Sequence, residues 1–227
     1  MAVSSVGMFG DGMTVAELAR LFNAQYGIGA ELEIVPMEGW SREMYWDDTD
    51  VPWVMPSPNM PTLDTAIVYP GTVLFEGTML SEGRGTTRPF ELIGAPWLDG
   101  ELLAARMNKV GLGGVHFRPA TFEPTFQKHA RATCGGCQIH VTSRQAFAPV
   151  QAAASLLREC FGLAPDRFKW REPPYENEHD KMPIDILAGS PSLRQQVEQQ
   201  VKLADIVASW QPSEAEFAEV RTPYLLY

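Results

Sequence analysis

Regular alternation of helix and strand signals begins only at Trp97, and that boundary constrains the fold of these 227 residues more than any other feature. Beyond it, Asp99 is placed to cap a helix over residues 101–109 that Gly111 closes. Residues 115–118 and 138–142 read as strands. Ser143 is placed to cap a helix reaching about Glu159, and Ser190 followed by Pro191 marks another helix start. Further helices are expected over 203–209 and 214–220. Alternation of this kind builds a compact α/β module.

The first 95 residues follow no such rule. Thr14-Val15-Ala16-Glu17 has the form of a capping box. Val15, Leu18, Leu21 and Phe22 then share one helical face, with Gly27 as a stop. Residues 31–35 alternate as a short strand that Pro36 ends. Residues 39–70 are rich in Trp, Pro, Met and Asp and predict a long ordered loop. A strand is expected near 72–75, followed by the glycine-punctuated stretch 76–89, which has no periodicity. One helix, one or two strands and two loops do not readily enclose a core. These residues therefore lie over the later module or form the tail of another domain. The division expected is 1–90 and 91–227.

Bulk properties narrow the function classes. Eighteen basic and twenty-eight acidic residues give a net charge of -10, with no basic cluster, so nucleic acid is not an expected partner. No apolar run reaches the ~20 residues that cross a bilayer. Cys134, Cys137 and Cys160 cannot all pair within the chain, which argues against a disulfide scaffold. Met1 to Gly12 lacks the charged and apolar regions of a signal peptide.

The segment Ser81-Glu82-Gly83-Arg84-Gly85-Thr86-Thr87-Arg88-Pro89-Phe90-Glu91 carries the chemistry of most interest. Gly83 and Gly85 let the backbone approach a ligand, and Arg84 projects a fork of donors between them. Glu82 and Glu91 supply two carboxylates, and Glu76 a third. Glycoside hydrolysis commonly uses a carboxyl pair across the scissile bond. Arginine is also a natural partner for a carboxylate carried on a sugar. The plainer reading is an ion pair between Glu82 and Arg84 that holds a turn.

Other segments admit two readings each. In Pro56-Ser57-Pro58-Asn59-Met60-Pro61, three prolines stiffen a loop around one amide, Asn59, suited to a sugar hydroxyl or N-acetyl group or simply to an Asx-turn. Trp40, Trp46, Trp53 and Trp97 could stack on sugar or fill core beneath loops. Cys134-Gly135-Gly136-Cys137 with His140 lacks the four ligands of a structural zinc site. An odd spacing also puts Cys137 and His140 on opposite faces of a strand. No metal site is expected. His129, beside Lys128, marks an exposed loop edge. Trp170-Arg171-Glu172-Pro173-Pro174-Tyr175-Glu176 is another stiff loop that lines a cleft or packs. The apolar end, residues 221–227, reads as a structural anchor.

Taken in order, residues 12–19, 53–61, Tyr69-Pro70-Gly71, 76–97, Phe117-Arg118-Pro119, Lys128-His129, Cys134-Gly135-Gly136, 170–175 and 224–227 resemble the C-terminal part of the bacterial peptidoglycan exo-β-N-acetylmuramidases of the NamZ family. The resemblance implies an α/β fold, the tail of a Rossmann-like domain followed by a smaller mixed α/β domain, with a cleft between the domains. It implies removal of non-reducing terminal N-acetylmuramic acid from peptidoglycan fragments, with a muropeptide or disaccharide as partner and no cofactor. Within it, Glu82 and Glu91 are the candidate catalytic carboxyls, and Arg84, Asn59, His129 and Tyr175 the candidate substrate contacts. Two departures bear on activity. The beginning of the Rossmann-like domain, with a Pro-Glu-His-Gly segment, has no counterpart here. Asp11 stands where members carry histidine. The expectations therefore include a chain inactive by itself, either a non-catalytic muropeptide-binding module or a structural one.

Overall fold

A computed structural model describes residues 12–227; Asp11 and the leader reading of the first residues lie outside the described residues. The first helix, α1 (Val15–Gln25), starts at the expected capping box: Thr14 Oγ1 accepts from the Glu17 N–H, and the Glu17 carboxylate accepts from the Thr14 N–H at 2.7 Å. Its buried face differs from the expected one. Leu21 and Glu17 are fully buried, while Val15 is 85% exposed.

Glu17 is buried because it is a hub. It pairs with Arg42 at 2.7 Å and accepts the backbone N–H of Leu226 at 2.6 Å. Burial alone would raise its carboxyl; Arg42 and the backbone donors of Leu226 and Thr14 outweigh that and hold it down at about 2. The C-terminal residues are tucked in as expected. The Tyr227 hydroxyl accepts the Met37 N–H, and its ring meets Trp40 edge-on at 5.1 Å.

Residues 31–35 do not form a strand. They carry no regular secondary structure and have no ladder partner among the described residues, and alternation without a partner makes no sheet. The expected long loop is also shorter than read. After a 3-10 turn at Trp46–Asp48, helix α2 (Leu63–Thr72) begins at Thr62, whose hydroxyl accepts from the Thr65 N–H. Instead of a strand at 72–75, a 3-10 turn spans Val73–Gly77. It drives Leu74 and Phe75 fully into the core.

The sheet has three antiparallel strands in the order β1-β3-β2: β1 (Leu92–Ala95), β2 (Val115–Phe122) and β3 (Cys134–Val141). The residues of β1 held no strand signal, and β2 and β3 are each longer than expected. Ile93 lies opposite Cys137, and Phe117 opposite Ile139, so these four face the core. His116 lies opposite His140, and Arg118 opposite Gln138, on the other face. Cys137 and His140 are thus on opposite faces. The Cys134-Gly135-Gly136 run has a steric cause: a Cβ on Gly136 would sit 2.0 Å from the Ile93 carbonyl oxygen. All three cysteines are free and buried, and burial pushes the Cys134 thiol up to about 11 and Cys137 to about 12. Among the described residues no cluster of His, Cys, Asp or Glu is able to hold a metal ion.

Helix α3 (Gly100–Val110) runs as expected from the Asp99 cap to Gly111, which takes the left-handed conformation. It packs on β2 and β3. Helix α4 (Pro149–Leu163) lies against α2 and α3 and buries nearly one whole face. Its start is Pro149, not Ser143, because proline is pre-set for the first helical position and loses no bond there. Then come α5 (Pro183–Leu187), α6 (Ser192–Glu198) and α7 (Leu203–Arg221). The two helices expected at the end are one, continuous through Pro212. Residues 63–90, read from sequence with the first segment, share one apolar core with the residues that follow them: Val68, Phe75, Leu80 and Phe90 meet Ile93, Leu103, Leu156 and Ile184. No helix among the described residues is long and apolar enough to cross a membrane.

Candidate functional site

The segment 81–91 is a hairpin-like loop rooted on β1. Ser81 and Gly94 exchange backbone hydrogen bonds, and the Phe90 N–H donates to the Glu82 carbonyl. Gly83 and Gly85 take φ of 77° and 84°. A Cβ on Gly85 would meet the backbone of Phe126 and Thr125 at 2.7–2.9 Å, so this loop lies directly against the 124–126 segment. The loop thereby presents its side chains to two flanks.

On one flank, Glu82 is 2% exposed and its carboxylate sits 2.7 Å from Lys128 Nζ. The Lys128 ammonium also donates to the carbonyls of Phe75 and Leu80, so all three of its protons are placed. Burial lowers the Lys128 pKa, and Glu82 opposes that shift. Arg84 Nη2 donates to Glu76 at 2.5 Å, and its guanidinium lies 5.2 Å over the Phe90 ring. Arg84 Nε is 3.5 Å from Glu82 Oε1, an ion-pair contact without hydrogen-bond alignment. Glu76 takes the Tyr175 hydroxyl on its second oxygen at 2.8 Å. Burial, and then the Glu76 charge, push Tyr175 and Tyr69 above the ordinary tyrosine range. Arg171 covers the Tyr175 ring at 5.2 Å. Glu76, Glu82 and Glu176 thus share this flank with Arg84, Lys128 and Arg171. Arg84 keeps about a quarter of its surface open.

On the other flank, Glu91 is 3% exposed. It accepts the Thr65 hydroxyl at 2.8 Å and pairs with Arg88 at 3.3 Å. It lines a pocket of about 230 Å³ with Asp64, Arg88, Gln138, His140 and Arg144, backed by Ile139 and Val68. Burial, then Arg118 and His116, hold His140 below its ordinary pKa, which favours the neutral ring.

The structure therefore brings Arg84, Glu82 and Tyr175 into one network and places Glu91 elsewhere. Glu82 and Glu91 share no side-chain partner. His129 stands near the first flank, where its ring Nε2 meets the Met79 carbonyl at 2.7 Å. Asn59 is half-buried in its loop, and its backbone N–H donates to the Ser57 hydroxyl. Sequence reasoning mentioned Glu76 and Lys128 without placing them at the site. It gave Arg88 no role although it stands three positions from Glu91, and it missed Asp64 and Arg144, which reach the Glu91 pocket only through the fold.

These features define a mixed α/β module with a carboxylate-guanidinium network on a glycine-shaped loop. The profile described as "Exo-beta-N-acetylmuramidase NamZ, C-terminal" matches residues 67–227, and "Exo-beta-N-acetylmuramidase NamZ, N-terminal" matches residues 4–64. The chain belongs to the exo-β-N-acetylmuramidase NamZ family. It is 42% identical over 216 residues to the peptidoglycan β-N-acetylmuramidase NamZ of Bacillus subtilis, a match covering 95% of this chain and 50% of that protein. A crystal structure of a DUF1343 family protein from Bacteroides fragilis superposes with a TM-score of 0.82 at 27% identity, over 95% of this chain and 56% of the other. A second one from the same organism, at 22% identity, shares the fold with a TM-score of 0.66, again over 95% and 56%. The chain spans about half the length of these proteins.

Proposed function

We propose that this chain supplies part of the site of a glycoside hydrolase that releases terminal N-acetylmuramic acid from peptidoglycan fragments. The observation that carries the reading is the Arg84 guanidinium, oriented by Glu76 and Glu82 and about a quarter open on a glycine-flanked loop, in a chain of this family. N-acetylmuramic acid differs from N-acetylglucosamine by a lactyl carboxylate, and a guanidinium already oriented by Glu76 and Glu82 binds such a group with little ordering cost. Glu82 and Glu91 are the proposed carboxyl pair, and Asn59, His129 and Tyr175 the proposed sugar contacts. The pocket beside Glu91 has the volume of a small polar ligand.

A second reading, a muropeptide-binding module without turnover, is favoured by one feature. Glu76 takes protein donors on both oxygens, and Glu82 takes Lys128 on one oxygen with Arg84 against the other, so both carboxylates are engaged within the protein. Hydrolysis of a chromogenic N-acetylmuramic acid glycoside by the 227-residue chain separates the two, since turnover rejects the second. Calorimetry tests both. Arg84→Ala is expected to weaken N-acetylmuramic acid binding by roughly 10- to 100-fold, the scale of a lost charge-assisted bond, and N-acetylglucosamine binding far less. Equal losses for the two sugars sink the role of Arg84.

A further inference from the structure

Gln127, His129 and Arg131 take left-handed φ of 69°, 57° and 62°, three non-glycine residues within one short segment. Such conformations persist only where surrounding contacts over-determine them. Among the described residues, the hydrogen bonds that 124–132 makes beyond itself all run to residues 75–85. Thr125 donates to the Gly85 carbonyl from its N–H and its hydroxyl, and the His129 ring meets the Met79 carbonyl. Lys128 is driven in between them and reaches Phe75, Leu80 and Glu82. The strained segment is thus a clamp on the loop that carries Arg84.

Lys128 Nζ holds Glu82 Oε2 at 2.7 Å, while Glu82 Oε1 stays 3.5 Å from Arg84 Nε. That Nε–H is buried without a hydrogen-bond partner, although a carboxylate stands beside it. Buried donors left in this state call for a cause. We infer that Lys128 is a positioning residue: by holding Glu82 it keeps that acid from closing on Arg84, and so leaves the guanidinium able to take a carboxylate from a ligand. The inference rests on the reading of Arg84 as the contact for the lactyl carboxylate. Charge and geometry both support it. Glu76, Glu82 and Glu176 are matched in number by Arg84, Lys128 and Arg171, so removal of Lys128 leaves one negative charge in excess, which opposes an anionic ligand. Glu82 is 2% exposed, and a buried carboxylate that loses its cation takes the next one within reach. Among the described residues that cation is Arg84, which needs only a small shift to bond.

The test measures binding of N-acetylmuramic acid and of N-acetylglucosamine to the 227-residue chain by calorimetry. Lys128→Met is expected to weaken N-acetylmuramic acid binding at least about tenfold and N-acetylglucosamine binding less than about twofold. Adding Glu82→Gln is expected to bring N-acetylmuramic acid binding back to within about threefold of the unsubstituted chain, because no carboxylate remains to close on Arg84. A lysine with a structural role alone gives the opposite result. The Phe75 and Leu80 carbonyls still lack their donor in the double variant, which then binds as weakly as the single one. That outcome overturns the inference, and so do equal losses for the two sugars. Failure of the unsubstituted chain to bind N-acetylmuramic acid rejects the Arg84 reading and the inference together. A readout without ligand separates the two. The Arg84 Nε proton resonance, identified by its loss in Arg84→Ala, should move downfield in Lys128→Met and return in the double variant. An unmoved resonance rejects the inference even where N-acetylmuramic acid binds. If Lys128→Met does not fold, the double variant decides: near-normal binding supports the inference and lost binding overturns it.

Discussion

From Leu63 onward every helix longer than one turn buries apolar side chains in a common core, whereas between Val15 and Met55 the chain exposes most of its large ones. The later region is held by area. Phe75, Phe90, Phe117 and Leu156 are essentially inaccessible, and α2, α4 and the sheet enclose them. The earlier region is held by points, with Glu17, Arg42 and Tyr227 clipping it to α1 and the chain end. Area and points respond differently to perturbation. Burial of a phenylalanine offers no substitute for a lost contact, while a clip fails when one charge is removed.

The core carries the largest expected effect. Phe75→Ala should cost about 3–5 kcal/mol, the range for a fully buried aromatic, and be read as a fall in the midpoint of urea unfolding. Next comes the first flank of the loop. Lys128→Met leaves the Glu82 carboxylate without its closest cation and the Phe75 and Leu80 carbonyls without a donor. A loss of about 2–4 kcal/mol is expected, and the same substitution in a Glu82→Gln background should cost clearly less.

Acid sharpens the contrast. The Glu17 carboxyl lies at about 2 in the folded chain against an ordinary 4.5, so its stabilisation is complete above pH 4.5 and is lost as pH falls toward 2. Hydrogen exchange at pH 5 and at pH 2.5 should show residues 224–227 and the neighbourhood of Arg42 opening before α4 does. Simultaneous opening of both would contradict the division. The smallest effect is expected at the exposed face, where Val35→Ser should change stability of the isolated chain by no more than about 0.5 kcal/mol.

Local rules served well where the partners are near in sequence. The capping box at Thr14 and Glu17, the Asp99 cap and the Gly111 stop each involve groups within a turn of one another, and all three stand. The loop 81–91 was legible as a candidate site for the same reason, since its glycines and charges are contiguous. The strand read at 31–35 and the unread strand β1 fail in opposite directions for one cause. A strand exists only through its neighbour, and β1 has β3 while 31–35 has none among the described residues. Pro212 misled in the other sense. A proline inside a helix removes one bond and strains one turn, yet the turns on both sides hold α7 together.

By itself, the order of residues determined the α/β class, the caps, the stiff loops and the family, because each depends on short-range chemistry or on resemblance spread along the chain. Only the tertiary structure decided that Glu82 joins Arg84, Glu76, Tyr175 and Lys128 while Glu91 turns to Thr65 and Arg88. The reason is geometric. The two acids leave one loop on opposite flanks, and what each meets includes groups up to 46 positions distant, whose placement is set by packing in the core rather than by local sequence.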